Sequence, residues 1–135
     1  MFKIVLFPID YSREAREAAE VVVDIVQKYG SRLVLLSVVE QPTTEAQNED
    51  AMSSPETVAQ LLENAKALFL QHGISAEAIE REGKAAFTIC DVADEIQANL
   101  IVMGCRGLGL TEEGSHDSVT NRVINLSPCP VLIVP

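Results

Sequence analysis

Residues 100–118 read Leu100-Ile101-Val102-Met103-Gly104-Cys105-Arg106-Gly107-Leu108-Gly109-Leu110-Thr111-Glu112-Glu113-Gly114-Ser115-His116-Asp117-Ser118. The apolar run from Leu100 to Met103 predicts a buried strand. Gly104, Gly107, Gly109 and Gly114 predict a loop after it, and a helical pattern begins near Ser118, with Val119, Val123 and Ile124 on one face. A strand, a glycine-rich loop and a helix start expose backbone N–H groups to an anion and aim the helix dipole at it. Four glycines in eleven residues also let a ligand approach the backbone closely. No Gly-Lys-Ser/Thr closes the loop, so it is not a P-loop. The spacing Gly104-x-x-Gly107-x-Gly109 follows a late strand, which separates it from the dinucleotide fingerprint. Such a loop is also an ordinary strand-to-helix connection, so the remainder of the chain decides between the two readings.

Outward from this stretch, short apolar runs alternate with longer segments of helical period. Residues 3–8 predict a strand. Residues 12–29 predict a helix capped by Ser12, with Ala15, Ala18, Ala19, Val22, Val23 and Val26 inward and Gly30 as its stop. Arg32–Val39 is almost continuously aliphatic, as expected of a strand covered on both faces. Residues 40–54 are polar and acidic and read as a loop. Pro55 opens a helix to about residue 72, and 75–81 alternates as a strand near an edge. Residues 85–97 predict a helix with Ile89, Val92, Ala93 and Ile96 inward and Cys90 as a small buried hydrophobe. The last strand is Val131–Val134, approached through Pro128 and Pro130.

Five strands alternating with four helices predict a single α/β domain over residues 1–135. Its core is one five-stranded parallel sheet with helices on both faces, and the strand order is taken as 3-2-1-4-5. Ligands in such sheets bind beyond the carboxyl ends of the strands where the order reverses, here between the first and fourth strands. Asp10 and Gly104 then border the same crevice. The last strand lies at an edge, and its apolar residues Val131, Leu132, Ile133 and Val134 predict pairing with a second copy of the chain.

Composition narrows the function. The chain has 135 residues, with 20 acidic against 10 basic side chains and a net charge of −10. That balance argues against nucleic acid and anionic membrane as partners, and a bound anion has to be held locally against the overall field. Residues 1–8 are too short for a secretory signal and read as strand. Three cysteines without pair spacing suggest reduced thiols and a cytoplasmic setting. His72 and His116 stand alone, so no metal site is predicted, and no local motif suggests a catalytic triad.

Several segments, in order, resemble the universal stress protein family over essentially the whole chain. Phe7-Pro8-Ile9-Asp10-Tyr11-Ser12 resembles its first strand and helix cap, and Leu35-Leu36-Ser37-Val38-Val39 its second strand. Gly83-Lys84-Ala85-Ala86 with Ile89 and Ala93 resembles the opening of its third helix. Leu100 to Gly107, Ser118 to Val123 and Ser127 to Val134 resemble its fourth strand, last helix and last strand. The resemblance implies the nucleotide-binding α/β fold and an adenine nucleotide, AMP or ATP, as ligand. It carries ligand-site roles onto Pro8, Ile9, Asp10, Val38, Val39, Met103, Gly104, Arg106, Gly107, Gly114, Ser115, Asp117, Ser118 and Val119. It also implies a homodimer through the last strand and a further protein partner that the sequence does not name.

Family members that bind ATP resemble Gly-x2-Gly-x9-Gly-Ser/Thr. Here Gly104 and Gly107 match, but the closing pair is Asp117-Ser118. At a helix start, Asp is a favoured cap and complements the dipole. The same carboxylate repels phosphate, as do Glu112 and Glu113, while Arg106 and Arg122 offset part of the repulsion. The expectation is therefore AMP or adenosine in preference to ATP, in a sensor or adaptor that catalyses little or nothing. Gly114-Ser115 is an alternative source of the missing glycine. The rival readings are a nucleotide-independent interaction or chaperone-like protein with a closed phosphate site, and a slow ATPase.

Overall fold

The computed structural model describes residues 1–9, 14–39, 55–104 and 115–135. Five strands and four helices alternate: β1 (Ile4–Pro8), α1 (Glu14–Tyr29), β2 (Arg32–Val39), α2 (Pro55–Gln71), β3 (Ala76–Glu82), α3 (Ala85–Ile96), β4 (Leu100–Gly104), α4 (Ser115–Leu126) and β5 (Val131–Val134). The strands form one sheet in the order β3-β2-β1-β4-β5, all pairs parallel, as the sequence predicts.

Alternation along each strand splits the core into two layers. Val5, Phe7, Leu33, Leu35, Leu100 and Val102 pack against α1 and α2. Leu6, Val34, Leu36, Ile101 and Met103 pack against α3 and α4. β2 is sealed on both faces, with Leu33, Val34, Leu35 and Leu36 fully buried. Phe69 from α2 meets Phe7 of β1 edge-to-face, with ring centroids 6.1 Å apart. Such a buried aromatic contributes about 1.5–3 kcal/mol through area alone.

The helical stripe expected on α1 is buried from Ala18 through Val26, and Cys90 is buried on α3. Three expectations need correction. Ile124 was placed inward with Val119 and Val123, but it is 49% exposed. It follows the fully buried Val123 by one residue, and a helix turns about 100° per residue, which carries it off the buried stripe. α4 begins at Ser115 rather than near Ser118. Asp117 therefore sits inside the first turn instead of capping it. Ser115, His116 and Asp117 carry no apolar period, so the extra half-turn leaves no trace in the pattern. β3 runs one residue later than its alternation suggests.

Three helices end in the same way. The N–H of Ser31 donates to the carbonyl of Val26 (3.2 Å), that of Ile74 to Phe69 (3.0 Å) and that of Ala98 to Ala93 (2.9 Å). These bonds need a left-handed residue at the turn, and Gly30 (φ 64°), Gly73 (φ 78°) and Gln97 (φ 58°) supply it. Gln97 is the costly member, because its Cβ crowds the backbone there.

Candidate functional site

The strand order reverses between β1 and β4, and their register builds the base of a crevice. Val5 lies opposite Leu100 and Leu6 opposite Ile101. Pro8 and Ile9 on one side, and Met103 and Gly104 on the other, follow at the carboxyl edge. Ile9 remains tied to the next strand through its N–H, which donates to the Leu36 carbonyl (2.9 Å). α4 starts beyond β4 and returns to the parallel β5, so its amino end and dipole belong to this same edge.

The described candidate residues divide between the two faces. Met103 is buried in the α3/α4 layer, with Val38 and Val119 partly buried against the same cluster. Pro8 is half-buried and follows Leu6 by two residues, so it shares that side. Together these four make an apolar floor at the carboxyl edge. Ile9 and Val39 point the other way, into the α1/α2 core. Any part they take at the crevice comes through their backbone. Gly104 is partly buried at the strand end. Ser115, Asp117 and Ser118 lie in the first turn of α4. Asp10, Arg106, Gly107 and Gly114 lie outside the described residues, as do Ser12, Cys105, Glu112, Glu113 and the acidic stretch 45–50.

Two residues that the sequence reading did not single out stand close to this edge. Gly83 follows β3 with φ 146°, and its N–H donates to the Val39 carbonyl (3.0 Å). Ser37 is fully buried on β2, and its hydroxyl has no hydrogen-bond partner among the described residues. Its signal in the sequence was that of a lone polar residue inside an aliphatic run.

Other reactive groups are quiet. Burial, then Asp91, then Cys129 push the Cys90 thiol up, and burial raises Cys129 against an opposing contact from Ser127. Both therefore favour the protonated, unreactive thiol. Among the described residues no cluster of His, Cys, Asp and Glu is arranged to hold a metal ion. No helix of the described residues is long and apolar enough to cross a membrane.

Comparison with known proteins gives a consistent picture. The model of the universal stress protein family matches residues 1–135. A universal stress protein of Synechocystis is 64% identical over 136 residues, covering 100% of this chain and 87% of that protein. Among solved structures, a universal stress protein in complex with cAMP superposes with a TM-score of 0.77 at 21% identity, covering 99% of this chain and 97% of the other. The universal stress protein of Archaeoglobus fulgidus in complex with dAMP gives 0.68 at 20% identity, over 100% and 98%.

Proposed function

Because the chain belongs to the universal stress protein family, we propose that it is a cytoplasmic stress-response protein that binds an adenine nucleotide without turning it over. The monophosphate is the preferred form. The observation that carries this reading is the meeting of β1 and β4 at the reversal of strand order, where Pro8, Val38, Met103 and Val119 share one face and α4 opens. The cAMP and dAMP complexes of proteins with this fold support an adenine ligand.

Preference for the monophosphate follows from Asp117. A unit of like charge at about 5 Å costs roughly 3 kcal/mol per phosphate charge at an effective dielectric near 20. Asp117 takes the place of the motif glycine, where the family resemblance puts the phosphates rather than the nucleoside. Asp117→Gly should raise ATP affinity by roughly 1–3 kcal/mol after solvent screening, and AMP affinity should move less. Calorimetry on the folded variant tests this, and an unchanged ATP affinity removes Asp117 from the phosphates.

The protein acts as a homodimer. β3, at one edge of the sheet, carries Glu77, Glu80, Arg81 and Glu82, charges that discourage a further strand. β5, at the other edge, is Val131-Leu132-Ile133-Val134, and Leu132 is exposed. Ile124 and Leu126 on the preceding helix are exposed as well. Antiparallel pairing of two β5 strands about a two-fold axis covers this edge and leaves only charged edges outside, so assembly stops at two. Nucleotide binding then orders the crevice and alters the surface offered to a partner protein. Leu132→Lys should give monomer or insoluble protein at micromolar concentration. A monomeric parent, or a dimeric Lys variant, in sedimentation would refute this interface.

A further inference from the structure

We infer that Gly83 is a positioning residue for the nucleotide crevice, setting the end of β2 and the start of α3 relative to one another; the inference rests on the nucleotide reading above. Its N–H bond to the Val39 carbonyl, 3.0 Å long, ties the chain just past β3 to the end of β2. Val38, part of the apolar floor, is the residue before Val39.

α3 begins immediately after this tie. Lys84 is its N-cap in extended conformation, and the Lys84 carbonyl accepts the first helical bond from Thr88 N–H at 2.9 Å. The chain turns this quickly because Gly83 adopts φ 146°, a region that L side chains rarely enter. Space is closed as well as angle. A Cβ at position 83 would stand 2.6 Å from Thr88 Oγ1, while Thr88 Cβ is 4.0 Å away. A side chain there is therefore strained by its dihedral, and its Cβ has to displace the Thr88 hydroxyl in the first turn of α3. The tie to Val39 and this turn both belong to the α3/α4 side of the carboxyl edge: Val38 packs on the layer to which Ala86 and Ile89 of α3 contribute. Gly83 thus sets floor and wall together without touching the ligand.

Gly30 and Gly73 provide the control. Both have positive φ, at 64° and 78°, and an added Cβ meets nothing within 4 Å at either. They join helices to the amino ends of β2 and β3, away from the crevice. Gly83→Ala, Gly30→Ala and Gly73→Ala should all lower the thermal midpoint, but only Gly83→Ala should weaken AMP binding, by at least about tenfold. Gly83→Ala/Thr88→Ala removes the overlap and leaves only the dihedral strain. It should recover part of the lost affinity, and it keeps the test open if the single variant folds poorly. Chemical shifts of the Val38 and Val39 amides should move in Gly83→Ala and not in the two controls. Parent-like AMP affinity in Gly83→Ala, or equal losses in all three variants, would overturn the positioning role while leaving the nucleotide reading intact. A parent chain that binds no AMP overturns that reading, and this inference with it.

Discussion

At the amino ends of the strands, polar groups are paired within the fold. The Asn99 side chain accepts the Ile4 N–H (2.9 Å) while the Asn99 N–H donates to the Ile4 carbonyl (2.7 Å). Arg32 N–H donates to the Lys3 carbonyl (2.7 Å), the Ser31 hydroxyl donates to the Phe2 carbonyl, and the Arg32 guanidinium grips both oxygens of Glu77. The carboxyl ends are built otherwise. There the described residues offer an apolar floor, a glycine at 83 in a conformation that L side chains rarely adopt, and the start of α4. The same five strands thus carry a stitched end and a receptive end. Stability and recognition are separable because the parallel topology sends every helix-to-strand turn to one end and every strand-to-helix turn to the other.

That separation breaks if a change at the stitched end alters binding. The largest effect expected there comes from Asn99→Ala. It removes the acceptor for the Ile4 N–H at the seam between β1 and β4, a loss of about 1–3 kcal/mol for a polar group left unpaired. Urea denaturation should register the loss and AMP affinity should not change. A loss of affinity matching the loss of stability would show that the crevice senses the whole seam.

A smaller effect of opposite sign sharpens the comparison. Gln97 holds a left-handed conformation at the end of α3 (φ 58°), where Gly30 and Gly73 serve the two preceding helices. Gln97→Gly relieves that crowding and should stabilise the fold by about 0.5–1 kcal/mol, net of the added chain entropy of glycine. The thermal midpoint should rise with AMP affinity unchanged. A lowered midpoint would mean that the Gln97 side chain contributes contacts outweighing the strain.

The sequence carried most of this architecture because the stitched end and the core speak through periodicity. The bounds of β2 and β5 match their aliphatic runs, and β4 runs one residue beyond its run, into Gly104. Alternation makes the parallel sheet legible, while the order β3-β2-β1-β4-β5 is one of several that the same alternation allows. What escaped was polar or local. The start of α4 hid in Ser115-His116-Asp117, and Gln97 as a left-handed cap is invisible where glycine is the usual sign. The fully buried Ser37 hydroxyl looked like one polar residue among aliphatics. At the crevice, Val38 and Met103 fall in one layer and Ile9 and Val39 in the other, a distinction that the family resemblance does not make.

The receptive end is tested most directly by titrating the parent chain with AMP, ADP and ATP in a calorimeter under identical salt. The account predicts saturable binding of AMP, with affinity falling from AMP through ADP to ATP as phosphates approach Asp117. ATP bound about tenfold or more tightly than AMP, a difference of roughly 1.4 kcal/mol, would contradict the role given to that carboxylate. No heat with any adenine nucleotide at millimolar concentration would contradict the nucleotide crevice itself.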